Sequence, residues 1–374
     1  MAPNGKPPFR ADQVGSLLRP ARLVDTRERA AAGKIDAAEL RGIEDECIAG
    51  VVKLQEDAGL QGITDGEFRR FMWHLDFLEQ IDGVKITQGN FVSHFRKDDG
   101  TEVGMAPPTM TVEAKLHHSR DIQLCDFEYL KSVTRRMPKV CIPSPSMLHF
   151  RGGRKAISEE VYPDLDGFYA DLATAYNAEV RALADAGLRY LPFDDTNFAY
   201  LCDGKIREAT KAMGEDPDEL PRTYCRLLNQ SMAGKPDDMA VTVHMCRGNF
   251  RSAWVAQGGY EPVADILFNE LDVDGFFMEY DNERSGDFAP LRFLPKGKTV
   301  VLGIMTTKSA ALEDKDVLKR RIEEAAQYAP LEQLAISPQC GFSSTVHGND
   351  LTEDDEKAKL ALLVEVAEEV WGSA

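Results

Sequence analysis

The sequence predicts an α/β fold of the (β/α)8, or TIM-barrel, class with a β-hairpin insertion between its second and third strands. Three observations carry this expectation. Amphipathic helical stretches that stop at a glycine run directly into short apolar segments. Eight such segments are spread along 374 residues. No Gly-x-Gly-x-x-Gly turn follows any of them, which removes the main reason to prefer a doubly wound open sheet.

In chain order, the strand candidates end near "QVGS" (13–16), "GITDGE" (62–67), "VCIPSPS" (140–146) and "YLPFDD" (190–195). The other four end near "AVTVHMC" (240–246), "GFFMEYD" (275–281), "TVVLGIMT" (299–306) and "LAISPQCG" (334–341). The helix "DAAELRGIEDECIAGVVKLQEDAGL" opens on an Asp36-x-x-Glu39 capping box and stops at a glycine ahead of the second strand. "SEEVYPDLDGFYADLATAYNAEVRALADAGL" stops the same way ahead of the fourth. "EPVADILFNELDVDG" and "EDKDVLKRRIEEAAQYAP" separate the fifth from the sixth and the seventh from the eighth. "TEDDEKAKLALLVEVAEEVWG" closes the chain. Residues 83–115 break the rhythm: they alternate as an antiparallel hairpin with a polar tip, here expected as an insertion. With no linker or repeat evident, residues 1–374 read as one catalytic barrel.

Composition narrows the function. The net charge of −18 and the absence of a Lys/Arg run disfavour nucleic acid as a partner. No apolar stretch is long enough to span a membrane, and the N-terminus lacks a signal-peptide core, so the expected location is cytoplasmic. Seven widely spaced cysteines argue against a disulfide framework. Each is then a core filler, a reactive thiol or a metal ligand. Cys47 and Cys225 fall in helices and Cys141 within a strand, which makes these three structural.

Active sites of this fold lie where strands end. The fifth strand end carries His244 and Cys246, two apart and therefore on one face. The sixth carries Glu279 and the eighth Cys340. An imidazole, two thiolates and a carboxylate are ligand types for tetrahedral zinc. A single His-x-Cys pair is weak evidence, and a strand-end carboxylate can simply cap a helix; the convergence of three strand ends is what favours a metal. The same rim holds Gly15 and Ser16 at the first strand, Glu67 at the second, and Asp194 and Asp195 at the fourth. Paired carboxylates facing a zinc–thiolate centre suit an ammonium group, although Asp194 and Asp195 also fit helix N-caps.

These elements resemble the catalytic C-terminal half of cobalamin-independent methionine synthase, in order and over nearly the whole chain. "QVGSLLRP" is similar to the strand end that receives the homocysteine carboxylate, "TDGEF" to the Gly-Glu-Phe element, and "LPFDD" to the Asp-Glu strand end. "VHMC", "FMEYDNERSGD" and "SPQCGF" resemble the zinc elements. The resemblance implies a short, single-barrel zinc-dependent S-methyltransferase of methionine biosynthesis. It implies His244, Cys246, Glu279 and Cys340 on zinc, with Glu67 and Asp194 holding the amino group of homocysteine. The donor it implies is 5-methyltetrahydrofolate or another carrier, such as a corrinoid protein. Where that family places a proton-donating histidine, this chain reads "GIMTTKSAALE", with Met305 and Lys308. Lys308 and Arg247 are candidates to orient an anionic tail of the donor. The alternative is an alkyltransferase of the same superfamily acting on another thiol or on an epoxide. A homodimer or a donor-protein partner is compatible with either reading.

Overall fold

A computed structural model describes residues 7–87, 93–97, 99–105 and 108–374. Residues 88–92, 98 and 106–107, inside the predicted hairpin, lie outside the described residues. The described residues form twelve strands: β1 (Gly62–Ile63), β2 (Asp82–Thr87), β3 (Ser93–Arg96), β4 (Glu102–Met105), β5 (Thr109–His117), β6 (Met137–Pro138), β7 (Ile142–Pro143), β8 (Tyr190–Asp195), β9 (Ala240–Met245), β10 (Gly275–Glu279), β11 (Thr299–Met305) and β12 (Leu334–Pro338).

Strands β7 to β12 form one sheet in chain order, and every pair in it is parallel. β1 and β6 form a second parallel pair. Residues 137–143 join the two sheets, because Lys139 N–H donates to Ile63 O and Val140 N–H to Tyr190 O. At the other edge, Ala11 bridges Ile336 of β12 in parallel. The parallel order therefore runs from residue 11 through β12 and back to β1.

The first predicted strand, 13–16, is not assigned as one. Three of its four carbonyls are taken by side chains instead of a ladder, and the fourth, Ser16 O, accepts from Phe342 N–H at 2.9 Å. Lys139 Nζ donates to Gln13 O, Cys141 Sγ to Val14 O, and Thr64 Oγ1 to Gly15 O. Leu17 N–H, bonded to Gly66 O at 3.1 Å, crosses from the end of this segment to the turn after β1. The backbone is satisfied without strand geometry.

Two apolar clusters flank the sheet. The larger packs helices against its outer face. The smaller takes Tyr190, Ala240, Phe277, Val301 and Ala335, one residue from each of five successive strands, with Phe9 and Val14. Such a layer of inward side chains follows from the two-residue period of strands. Buried among them, Lys139 Nζ meets Asp12 Oδ1 at 2.6 Å, and Tyr190 Oη donates to Asp12 Oδ2 at 2.7 Å.

The helices start and stop where local chemistry requires. Ala37–Ala58 is capped by Asp36, which accepts from Glu39 N–H, and ends at Gly59 with φ 101°. Glu39 turns to Arg29, so only half of the expected capping box forms. Leu165–Asp185 begins later than its sequence pattern, after Pro163 and the N-cap Asp164. Glu353–Trp371 carries a complete box between Thr352 and Asp355.

Residues 82–117 hold two antiparallel pairs, β2 with β5 and β3 with β4. The inner pair reaches the strand-end loops: Arg96 bridges Trp254, Phe95 packs on Phe250 with centroids 5.4 Å apart, and Lys97 pairs with Asp350.

Candidate functional site

The parallel register puts the chemistry at one end of the sheet. Asp194 of β8 stands opposite His244 of β9, and Met245 opposite Met278, the residue before Glu279. One ligand atom from each of His244, Cys246 and Cys340 lies within 4.8 Å of the others. The two Sγ atoms are 2.7 Å apart, and all three side chains are buried. His244 Nδ1 is buried with no hydrogen-bond partner. Two thiols and an imidazole with an orphaned nitrogen, shut away from water, fit a soft or borderline cation such as zinc. Next to Cys340 and His244, the Cys246 thiol is held down at about 6, whereas burial and the Cys246 charge push Cys340 well above its usual range. The two sulfurs titrate as a pair that favours one thiolate near neutrality.

Glu279 approaches this trio, with Oε2 4.0 Å from Cys340 Sγ, but lies outside it. Its carboxylate accepts from Arg247 N–H at 2.9 Å and pairs with Arg284 and with Lys308 Nζ at 3.4 Å. These cations overcome burial and hold its carboxyl far below the ordinary range. The Arg247 guanidinium donates to Tyr260 Oη and Glu279 O. Neither Arg247 nor Lys308, both expected to meet an anionic substrate group, lines the cavity; both sit on Glu279.

A second trio adjoins the first. Glu67, Cys141 and Asp194 bring one ligand-type atom each within 4.8 Å of the others, all buried. Burial above all raises Glu67 to about 7 and Asp194 to about 6. Glu67 Oε2 and Asp194 Oδ1 have no hydrogen-bond partner, while Arg70 Nη1 stands 3.6 Å from Glu67 Oε1. Glu67 is held in left-handed backbone, φ 59°, by the turn after β1, where Asp65 Oδ1 accepts from Glu67 N–H. A strained residue that aims an unsatisfied acid into a cavity points to a ligand. Gly15 makes room for it: a Cβ there would stand 2.9 Å from Glu67 Oε1 and 2.8 Å from Cys141 Sγ. Gly341 is tighter still, since a Cβ there would stand 1.9 Å from Ser16 Oγ.

Asp195 differs from its neighbour. It accepts from Ser146 Oγ and from the N–H groups of Asn197 and Phe198, so its oxygens are occupied as a turn cap. Ser16, Glu67, Asp194, Asp195, His244 and Cys246 all line a single cavity of about 350 Å³. Its outer wall holds Trp73, His74, Phe95, Phe150, Arg151 and Tyr200. Sequence reasoning missed these six. They sit in loops, short turns and the β2–β5 region, where no periodic pattern marks them.

Residues 9–369 match the family model described as "Cobalamin-independent synthase, Catalytic domain". An uncharacterized Bacillus subtilis protein, YxjH, is 44% identical over 98% of this chain and 96% of its own length. The methionine synthase of Pyrococcus abyssi is 26% identical, over 88% of this chain and 85% of its own. A crystal structure described as the putative vitamin-B12 independent methionine synthase from Listeria monocytogenes superposes with TM-score 0.79 at 39% identity. It covers 99% of this chain and 100% of that one.

Proposed function

Since the chain belongs to the cobalamin-independent synthase catalytic-domain family, we propose that it is a zinc-dependent S-methyltransferase forming methionine from homocysteine. In this reading residues 1–374 make one (β/α)8 barrel, closed between residues 13–16 and β1, with 82–117 inserted. The observation that carries the function is the buried convergence of His244, Cys246 and Cys340 beside the unsatisfied acids Glu67 and Asp194.

His244, Cys246 and Cys340 would hold zinc, with Glu279 as the fourth protein ligand. When bound, zinc lowers the pKa of an incoming thiol, so that a thiolate is available at neutral pH. Glu67 and Asp194 bind the ammonium group, Gly15 leaves room for Glu67, and Ser16, which lines the cavity, faces the substrate carboxylate. This fixes the thiol toward the sulfur cluster and the donor toward the outer wall. Placing two reactants in line accounts for roughly 7–11 kcal/mol of barrier at best. Arg247, Arg284 and Lys308 keep Glu279 ionised and oriented. The cavity's largely apolar walls exclude water from the reacting pair.

Substitution separates the two halves of the site. Cys340→Ser should lower bound zinc at least about tenfold and abolish methyl transfer. Asp194→Asn should retain zinc while weakening homocysteine binding by about tenfold or more. Full metal content in Cys340→Ser would remove the ligand assignment. Unchanged homocysteine affinity in Asp194→Asn would remove the ammonium site.

A further inference from the structure

Away from the strand-end cavity, the described residues bring one more set of metal-ligand types together. His118, Asp121 and Glu179 place one ligand atom each within 4.8 Å of the others. His118 and Asp121 lie in the loop that joins β5 to the helix Leu124–Val133, and Glu179 belongs to the helix Leu165–Asp185. The set is therefore built by two segments about sixty residues apart, not by one acidic run.

Local chemistry fixes two of the three. Glu179 is fully buried, and its carboxylate accepts from Ile122 N–H at 2.9 Å and from Gln123 N–H at 2.7 Å. His118 Nε2, on a side chain 9% exposed, stands 2.6 Å from Glu179 Oε2. A carboxylate only accepts, so Nε2 is the donor in that bond. Asp121 differs: it is exposed, and no hydrogen bond or ion pair joins its carboxylate to a described residue.

The charges do not balance. Two carboxylates meet one imidazole, which carries at most a single positive charge, and among the described residues no Lys or Arg pairs with either acid. A buried carboxylate is costly without a full counter-charge. A divalent cation supplies that charge, and the exposed Asp121 gives it a way in. The cluster is also tied to the catalytic rim. Gln123, whose N–H rests on Glu179, accepts through Oε1 from Arg70 Nη2 at 2.9 Å, and Arg70 Nη1 stands 3.6 Å from Glu67 Oε1. One polar chain thus runs from His118 to Glu67.

We infer that His118, Asp121 and Glu179 form a second metal site, separate from the sulfur cluster, for a first-row divalent cation such as zinc, cobalt or nickel. One imidazole and two carboxylates suit such an ion, with water completing the shell. On binding, the ring proton moves to Nδ1 and Nε2 turns its lone pair to the metal. Glu179 Oε2, released from that hydrogen bond, and an Asp121 oxygen complete the protein's share. The Ile122 and Gln123 N–H groups orient Glu179 as outer partners orient a metal-bound carboxylate. The ion pins the 118–123 loop to the helix Leu165–Asp185 and steadies the acceptor of Arg70. None of this rests on the methyltransferase reading.

Cobalt(II) titration of the zinc-loaded full chain, followed by calorimetry and visible absorption, tests it. About one cobalt(II) per chain should bind without the thiolate charge-transfer band that a cysteine site gives. His118→Ala should weaken this binding at least about tenfold, because even an outer partner of a metal ligand is worth that much. Asp121→Asn should weaken it as strongly; Asp121 is exposed and has no described partner to lose, so misfolding does not account for the loss. Saturating cobalt(II) should raise the melting temperature of the native chain and leave that of both variants unchanged. Both variants should keep the zinc content of the native chain. The inference is overturned if no cobalt(II) binds, if the only ion bound shows the thiolate band, or if either variant binds it within twofold of the native chain. If the purified chain holds no zinc, a sulfur-free cobalt(II) equivalent that both variants lose keeps this site, and the catalytic-zinc reading falls alone.

Discussion

Glu67 and Asp194 set the pH response of the site. Both carboxyls are raised by burial, to about 7 and about 6. A raised acid stays protonated longer in the folded chain than in the unfolded one. The pair therefore costs stability as pH climbs from about 4 to 7, and it gains the negative charge that an ammonium group needs over the upper part of that window. Homocysteine affinity should rise between pH 5.5 and 7.5 and then level off. In Glu67→Gln that rise should shrink, as titration calorimetry at several pH values would reveal; an identical profile in the variant would remove Glu67 from the ammonium site. At this scale the sequence was partly legible. His244 and Cys246 are two apart on a strand, so their shared face follows from local geometry alone. The partners of Glu279 do not, because Arg284 and Lys308 reach it from loops after two different strands. Cys141 looked like strand filling. Its place beside Glu67 and Asp194 depends on how three neighbouring segments are aligned.

Among the elements, the closing helix Glu353–Trp371 makes a tie that pattern reading does not reveal. Glu356, in its first turn, is 1% exposed and accepts from Leu18 N–H at 2.9 Å. Burial raises its carboxyl to about 8. The folded chain thus binds a proton more tightly than the unfolded chain does between about pH 4.5 and 8. Stability contributed by the protonated form is lost as pH rises through that window. Glu356→Gln keeps an acceptor for Leu18 and cannot ionise. Its melting temperature should match the native chain near pH 5 and exceed it at pH 8.5 by several degrees. A constant difference across that range would contradict the assignment. Helices and most strands were readable because caps, glycine stops and buried runs are local signals. The segment 13–16 was misread as a strand because its apolar look reflects burial. Lys139, Cys141 and Thr64, all distant in sequence, decide where three of its carbonyls bond.

For the molecule as a whole, parallel strands order the site: Glu67 follows β1, Asp194 ends β8, His244 and Cys246 end or follow β9, Glu279 ends β10 and Cys340 follows β12, in a register fixed by the strand ladder. Polar groups inside the small inner cluster help to fix that arrangement. Lys139→Ala would leave Asp12 buried without its cation and should destabilise the chain by about 3–5 kcal/mol, read from denaturant unfolding. Destabilisation under about 1 kcal/mol would mean that water or Tyr190 compensates. Among the described residues, no helix is long and apolar enough to cross a membrane.

The central claim is that the His244, Cys246 and Cys340 cluster holds zinc and presents it to an amino-acid thiol. Zinc-edge X-ray absorption of the purified chain, with metal content measured on the same sample, tests this most directly. The account predicts about one zinc per chain in a mixed nitrogen and sulfur shell that gains a sulfur neighbour when homocysteine is added. Absence of zinc, or a shell indifferent to homocysteine, would contradict it.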